Sequence, residues 1–317
     1  MNHAVIRTLV IGGAGFIGLH LVRLLCEDGR RQVMVVGRGK VVPKGLPEYA
    51  TYFSADINHD EAILPLLEEA DEVIDLAYAT VPKTSFDDPI HDLMVNLPAN
   101  VNLLQKASFN KLRRFLLISS GGTVYGKPRY LPIDEKHFTD PISPYGISKL
   151  ASEKYALMFH QLYGLPVVVV RPSNPYGPHQ FGNITQGFIG SALYSVVHSK
   201  NVVLFGERGT VRDYIYIDDL CKGIVAALEY GVPGEIYNIG TGIGYDNQEV
   251  LNVLSDIVRS DGYSVHIETR PARSFDVTAN ILSASSLTNV SGWRTSNTLE
   301  LGMYATWEWV KTWRANA

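Results

Sequence analysis

Short runs of apolar residues alternate, in the first half of the chain, with longer stretches in which apolar residues recur every three or four positions. The short runs predict buried strands and the longer stretches predict amphipathic helices. Strands are expected near 5–11, 32–37, 51–54, 73–76, 114–119 and 166–171. Helices are expected near 15–28, 60–69, 89–107 and 144–162. Such alternation is typical of an α/β protein with a parallel, doubly wound sheet.

The pattern changes after Asn174-Pro175-Tyr176-Gly177-Pro178, where glycines, loops and short isolated elements become frequent. A chain of 317 residues is long enough for more than one domain core. We therefore predict a first domain over 1–173 and a smaller, mixed α/β domain over 174–317. The segment 213–240 is expected to return to the main sheet, which makes the second domain discontinuous.

The first predicted strand runs directly into a glycine-rich turn, and an apolar helix follows. Glycines allow a tight turn and close approach of a pyrophosphate to the backbone, while a helix N-terminus offers N–H donors to its charge. A second strand follows at the expected distance. The pattern predicts a dinucleotide site with cofactor contacts from Gly12, Gly15, Phe16, Ile17 and Gly18.

Tyr145 and Lys149 are four residues apart in a predicted helix, so both side chains lie on one face. An ammonium beside a phenol favours the phenolate, and we expect it to lower the pKa of Tyr145 from about 10 towards neutrality. Tyr145 is then a usable general base at pH 7. The same spacing also occurs by chance, and the upstream dinucleotide site supplies the context for a catalytic pair.

Charge and composition exclude several classes of protein. A net charge of −4 without a basic run argues against a nucleic-acid or membrane-surface partner. No apolar run approaches the ~20 residues that span a bilayer, and Met1-Asn2-His3-Ala4 leads directly into the first strand, so a cytoplasmic protein is expected. Cys26 and Cys221 lie in predicted helices, and we expect no disulfide and no metal site.

Further motifs recur in order along the chain: Ala55-Asp56-Ile57, Asp75-Leu76-Ala77, Val95-Asn96, Arg171-Pro172-Ser173-Asn174-Pro175-Tyr176-Gly177, Arg212-Asp213-Tyr214 and Arg273-Ser274-Phe275-Asp276. With the glycine turn and the Tyr145/Lys149 pair, they resemble the extended short-chain dehydrogenase/reductases of the nucleotide-sugar epimerase/dehydratase type, nearest to the UDP-glucose 4-epimerases. The resemblance runs nearly end to end. It implies a Rossmann-type fold, a bound nicotinamide dinucleotide, a nucleotide-sugar substrate such as a UDP-sugar, and a homodimer in which helices near 89–107 and 144–162 pair.

The resemblance also implies cofactor contacts from Asn96 in the helix near 89–107 and from later strand ends, namely Asp56, Ile57, Leu76, Ala77, Tyr78, Ser119, Ser120 and Ser173, besides Tyr145 and Lys149. An acidic residue that would hold the ribose of NAD is absent at the end of the second strand, where Gly37 and Arg38 stand instead. Gly37 removes repulsion against a 2′-phosphate and Arg38 can pair with one. The expected cofactor is therefore NAD(P), with NADP favoured over NAD.

Substrate contacts are implied for separate segments of the second domain. Arg212 and Arg273 correspond to arginines that clamp a pyrophosphate, since a guanidinium matches phosphate oxygens bidentately. Asn174 corresponds to an asparagine that contacts phosphate, and Asp276 to the acid that orients a ribose or the neighbouring arginine. Asn280 stands where the 4-epimerases limit the room for a C2 acetamido group, and its middling size predicts that UDP-hexoses and their N-acetyl forms both enter.

The chain departs from the family pattern where a catalytic Ser or Thr is usual, because that position is Gly121. Thr123 is the predicted replacement donor to the sugar O4, and an ordered water above Gly121 is the alternative. The dehydratases carry an Asp-Glu pair where this chain has Gly122 and Thr123, so dehydration is not expected.

These residues predict a nucleotide-sugar 4-epimerase that works through a 4-keto intermediate. In this prediction Tyr145 moves the O4 proton and Lys149 contacts the nicotinamide ribose. Two alternatives stay open from the sequence. An NADPH-dependent 4-ketoreductase of a nucleotide deoxysugar is favoured by Gly37 and Arg38, and a catalytically weak NAD(P)-binding sensor is favoured by Gly121.

Overall fold

The computed structural model of the chain describes residues 5–58, 60–180, 187–273 and 277–315. Its strands are β1 (Ile6–Ile11), β2 (Arg31–Gly37), β3 (Thr51–Ser54), β4 (Glu72–Asp75), β5 (Arg114–Ile118), β6 (Val167–Pro172), β7 (Asn174–Tyr176), β8 (Val202–Phe205), β9 (Val211–Arg212), β10 (Tyr214–Tyr216), β11 (Ile236–Ile239), β12 (Ile267–Arg270) and β13 (Ala279–Asn280). Its helices are α1 (Phe16–Glu27), α2 (Asp60–Glu69), α3 (Pro82–Asp87), α4 (Pro89–Ala107), α5 (Pro144–Tyr163), α6 (Phe188–Val197), α7 (Ile217–Tyr230), α8 (Asn247–Arg259), α9 (Ser285–Ser291) and α10 (Leu299–Ala315).

Seven strands form a central sheet in the order β11-β6-β5-β4-β1-β2-β3, and each neighbouring pair is parallel. The doubly wound α/β prediction is therefore confirmed, and the six predicted strands agree with the observed ones to within a residue at each end. Helix α3 was not predicted. The strand order reverses between β1 and β4, and ligands of such sheets bind in the crevice beyond the strand ends at this point.

The segment after residue 212 returns to the main sheet only in part. Strand β11 pairs with β6 at the sheet edge, as predicted. Strand β10 instead pairs with β7, directly beyond the end of β6. Two further parallel pairs, β12 with β8 and β13 with β9, build the region beyond the central sheet.

Alternate residues of the central strands supply two separate cores. Val10, Val35 and Ile118 belong to the cluster shared with α1 and α7. Leu9 and Val36 belong to the cluster on the opposite face, shared with α2, α4 and α5. Both faces are thus buried, which explains why these strands read as continuous apolar runs. Within the described ranges, no helix combines the length and apolar character needed to cross a bilayer.

Candidate active site

The glycine turn after β1 packs directly against the loop after β4. Gly12 has φ +76°, and a Cβ on it would lie 2.9 Å from the Ala77 nitrogen. A Cβ on Gly18 would lie 2.5 Å from the Gly13 Cα, inside the turn itself. Both positions therefore exclude any side chain, and this close packing brings the turn to the switch point of the sheet.

The N-terminus of α1 is open to an anion. Its N-cap is Gly15, which has no side chain to cap the helix, and the first turn contains no acidic residue. The N–H groups of the first turn have no partner within a helix, so Phe16, Ile17 and Gly18 present donors and the positive end of the helix dipole. The turn therefore fits the pyrophosphate of a dinucleotide, with the five predicted residues brought together.

The ends of β2 and β3 lie side by side beyond this turn, with Ala55 N donating to Gly37 O at 3.0 Å. A Cβ on Gly37 would lie 2.9 Å from the Tyr52 hydroxyl and 3.1 Å from the Ala14 Cβ. The absence of an acidic residue at position 37 is thus explained in part by packing, in addition to any role in cofactor choice. Arg38 is exposed. Asp56 accepts two hydrogen bonds from Asn58, each of 2.9 Å.

Lys149 is the buried centre of the site, with 6% of its surface exposed. Its ammonium donates to Ile118 O at 2.8 Å and lies 4.0 Å from the centre of the Tyr78 ring. Burial lowers the pKa of Lys149 to about 8, and the charges of Asp75, Glu153 and Asp92 limit the fall.

Tyr145 lies on the same face of α5, as predicted from the spacing. Its ring meets the Tyr78 ring edge-on with centroids 4.8 Å apart, and its hydroxyl lies near the Ser120 side chain. Burial and then the negative charge of Asp92 raise the pKa of Tyr145 above its usual value, although the nearby Ser120 hydroxyl acts in the opposite direction. The expected lowering by Lys149 is therefore wrong for this structure, because the ammonium lies 5.9 Å from the Tyr145 ring centre and donates elsewhere.

Asn96 holds the loop after β4, which carries Leu76, Ala77 and Tyr78. Its side-chain oxygen accepts from Ala79 N at 2.7 Å, and its nitrogen donates to Thr80 Oγ1 at 2.9 Å. Both polar atoms of Asn96 are thus used within the protein. The structure places this predicted cofactor residue behind the loop, where it fixes the course of the backbone.

Two predicted serine contacts also have partners within the protein. The Ser119 hydroxyl donates to Glu153, which forms a buried ion pair with Arg171 at 2.6 Å. The Ser173 hydroxyl donates to Asp213 at 3.3 Å. Both serines lie at the strand ends beside the site, but their hydroxyls hydrogen-bond buried carboxylates of the protein.

The loop Ser120–Thr123 differs from the prediction. A Cβ on Gly121 would lie 2.5 Å from Leu282 Cδ1 and 3.0 Å from Arg171 O. The Leu282 side chain therefore occupies the space directly beside Gly121, where the alternative prediction placed a water. Thr123 Oγ1 donates over 3.5 Å to Ser120 O, which leaves Ser120 as the hydroxyl of this loop that contacts Tyr145.

The predicted substrate residues lie on the segments around this loop. Asn174 donates to Asp213 O at 3.1 Å, and Asn280 is buried and donates to Gly121 O at 3.1 Å. Arg212 donates to Val211 O at 2.8 Å. The guanidinium of Arg273 stacks 3.5 Å from the centre of the Phe205 ring. Asp276 lies outside the described residues.

The sequence analysis named Asn96 but missed Asp92 and Asn100, which lie with it on one polar face of α4. Asp92, Asn96 and Asn100 are spaced by four and are all buried. Asn100 donates at 2.9 Å to Asp75, which ends β4. The four-residue spacing of polar side chains was the available signal, since such residues share one face of a helix.

The chain is similar to known proteins over most of its length. The model of the NAD dependent epimerase/dehydratase family matches residues 8–240. A UDP-glucose 4-epimerase of Mycolicibacterium smegmatis is 32% identical over 311 residues, which cover 96% of this chain and 98% of the relative. The Thermotoga maritima UDP-glucose 4-epimerase, solved with UDP-glucose, superposes with a TM-score of 0.90 at 31% identity over 98% of this chain and 100% of its own. The Thermus thermophilus UDP-glucose 4-epimerase, solved with NAD, superposes with a TM-score of 0.88 at 31% identity over 96% of this chain and 99% of its own.

The packing at Gly121 predicts different outcomes for two neighbouring serine substitutions. Gly121→Ser should lower the free energy of unfolding by about 1–3 kcal/mol, because the new side chain overpacks against Leu282. Gly122→Ser is the matched control, since its Cβ would have Asn174 Oδ1 at 3.6 Å as nearest neighbour. Urea denaturation compares the two variants. Equal stabilities would contradict the placement of Leu282.

Proposed function

From the premise that this chain belongs to the NAD dependent epimerase/dehydratase family, we propose that it interconverts the C4 configuration of a UDP-hexose or UDP-N-acetylhexosamine. The main support is the contact of Ser120 with Tyr145 beside buried Lys149, at the strand ends next to a turn that fits a pyrophosphate. Similarity to UDP-glucose 4-epimerases over nearly the whole chain supports the same reaction. We further propose that 1–173 with 213–240 bind the dinucleotide, and that the rest of 174–317 binds the nucleotide sugar.

The nicotinamide ring, when bound, supplies a hydride acceptor and, in its oxidised form, a positive charge. Tyr145 removes the proton from the sugar O4 as the C4 hydride leaves, which produces a 4-keto sugar. Return of hydride to the opposite face of C4, with the proton returned from Tyr145, gives the epimer. Proton and hydride are both restored, so the reaction consumes no cofactor.

The phenol of Tyr145 starts this cycle protonated, because burial and Asp92 raise its pKa. A positive charge nearby favours the phenolate, so Tyr145 becomes a base only when oxidised cofactor is present. The Ser120 hydroxyl lies beside that of Tyr145, and we assign it as the donor to the shared proton. It replaces Thr123, whose hydroxyl is directed to the Ser120 carbonyl.

Binding of the nucleotide sugar is assigned to the residues implied by the family pattern. Arg212 and Arg273 would hold the diphosphate, with Asn174 beside the loop at Gly122. Asn280 contacts Gly121 O, one residue from Ser120, and this position supports its role in limiting the C2 substituent. Asp276 is assigned with them from the sequence.

An NADPH-dependent 4-ketoreductase is the second candidate, and Arg38 is the residue that favours it. Gly37 supports it less, because a side chain there would crowd Tyr52 and Ala14 whichever cofactor is bound. NAD, not NADP, is bound in the Thermus thermophilus structure. Denaturing purified protein and identifying the released dinucleotide by mass separates the two functions: tightly held NAD supports the epimerase, whereas empty protein that needs NADPH supports the reductase.

A homodimer is proposed from exposed apolar residues on α4 and α5, the helices implied to pair. Ile90 and Met94 are 70% and 62% exposed, and Ile147 and Leu162 are 54% and 64% exposed. Large apolar side chains left exposed on two neighbouring helices are a candidate interaction surface.

Variants of the two hydroxyls test the catalytic assignment. Tyr145→Phe should retain the fold and lower kcat by at least about 10²–10⁴, because general acid–base catalysis is lost. Ser120→Ala should lower kcat by about 10²–10³, as loss of one donor to a developing charge does. Thr123→Val is the matched control and should stay within about twofold of the unmodified protein. Steady-state epimerisation of UDP-galactose measures all three, and a larger loss in Thr123→Val than in Ser120→Ala would refute the assignment to Ser120.

Arg38→Gln tests the cofactor preference. If Arg38 pairs with a 2′-phosphate, NADPH affinity should fall about tenfold, equal to ~1.4 kcal/mol, while NADH affinity stays unchanged. Lys40→Gln removes a nearby exposed charge and serves as the control. Fluorescence titration gives both dissociation constants. An unchanged ratio of the NADPH and NADH dissociation constants would show that Arg38 takes no part in the choice of cofactor.

The dimer is tested by charges on its proposed surface. The double variant Met94→Lys with Leu162→Lys should sediment as a monomer, because two ammonium groups would be buried in the contact. Val41→Lys, at a position 80% exposed and away from both helices, should leave the sedimentation coefficient unchanged. A wild-type protein that sediments as a monomer at micromolar concentration would exclude the proposal.

A further inference from the structure

Asp92 is a fully buried carboxyl group beside the proposed catalytic pair, and the function proposed above gives it no role. It accepts hydrogen bonds from the Thr80 hydroxyl and from Ser148 Oγ, the latter at 2.7 Å. The Asn96 amide approaches the same carboxylate at 3.5 Å. Thr80, Ser148 and Asn96 therefore surround the carboxyl group with groups that can donate to it.

These bonds join the three segments that carry the site. Thr80 belongs to the loop after β4, which also carries Tyr78. Ser148 lies on α5 between Tyr145 and Lys149, and Asp92 itself lies on α4. The Asp92 carboxylate therefore joins the loop after β4 and helix α5 to α4.

We propose that Asp92 is a positioning residue whose buried negative charge and bonds to Thr80 and Ser148 set the pH range in which Tyr145 and Lys149 work together. The inference rests on the proposed function for the roles of Tyr145 and Lys149. Its geometric basis, the contacts of Asp92, is independent of the substrate.

The titratable groups that face Asp92 come from two elements. Tyr145 and Lys149 face it from α5, and Tyr78 faces it from the loop after β4. The Tyr78 hydroxyl is buried near Ser148 and makes no hydrogen bond with the described residues. On the other sides of Lys149 lie Asp75, at the end of β4, and Glu153, which is paired with Arg171.

The charge of Asp92 acts in the same direction on both members of the pair. A negative charge disfavours the phenolate and so raises the pKa of Tyr145, and it favours the ammonium and so raises the pKa of Lys149. Activity needs a deprotonated Tyr145 and a protonated Lys149. In the cofactor-loaded enzyme, where the positive charge of the oxidised nicotinamide lowers the pKa of Tyr145, these groups define the acid and alkaline limbs of the pH profile. Asp92 therefore moves both limbs towards higher pH.

Removal of the Asp92 charge should shift the pH profile of activity, whereas a structural defect would lower activity without such a shift. Asp92→Asn is nearly isosteric and should shift both limbs of the kcat/KM profile to lower pH by about one unit. Asp87→Asn, which removes an exposed charge from α3, should leave both limbs in place. Ser148→Ala keeps the Asp92 charge and removes one bond, so it should lower kcat without the paired shift. Asp92→Ser offers a second uncharged residue with a hydroxyl, and it should shift both limbs as Asp92→Asn does.

A second readout is independent of turnover. The pKa of Lys149, about 8 in this structure, is measurable by NMR titration of lysines labelled at Cε, with Lys149→Arg to assign the signal. Asp92→Asn should lower that pKa by about one unit. An unchanged Lys149 titration, or lower activity with both limbs in place, would overturn the proposal. Absence of any epimerase activity in the unmodified protein would instead count against the proposed function, while the NMR titration would still test Asp92.

Discussion

Burial of the Lys149 ammonium is the constraint on which the rest of the site depends. A buried charge is costly unless other groups replace its water. Here the Ile118 carbonyl accepts one hydrogen bond, the Tyr78 ring covers the ammonium, and carboxylates surround it at longer range. These groups come from separate strand ends, so the ammonium can be accommodated only when the sheet and α5 are correctly assembled.

The parallel sheet brings these groups together because all its strands end at the same edge. The end of β4 supplies Asp75 and the loop to Tyr78, and the end of β5 supplies the Ile118 carbonyl and Ser120. A buried network below them, from Ser119 through Glu153 to Arg171, joins β5, α5 and β6. The proposed catalytic residues are therefore held by packed strands and helices. The glycine turn lies next to them at the switch point of the sheet, where the N-terminus of α1 is open to an anion.

The sequence was sufficient for the central sheet, since strands buried on both faces are continuous apolar runs with little ambiguity. It was also sufficient for the glycine turn and for the shared face of Tyr145 and Lys149, because local spacing determines both. It was not sufficient for the loop at Gly121, where the neighbour that fills the space is Leu282, far along the chain. The pKa of Tyr145 was mispredicted for the same reason, because both its burial and the approach of Asp92 come from the packing of distant segments around α5.

The fate of the hydrogen on C4 tests the central claim, an oxidation and reduction at one carbon with Tyr145 as the proton carrier. Purified protein would be incubated with UDP-glucose that carries deuterium at C4, in ordinary water without added cofactor, and the products followed by NMR. The account predicts UDP-galactose with the deuterium retained at C4. Loss of the deuterium to water, or product that forms only when NADPH is added, would contradict it.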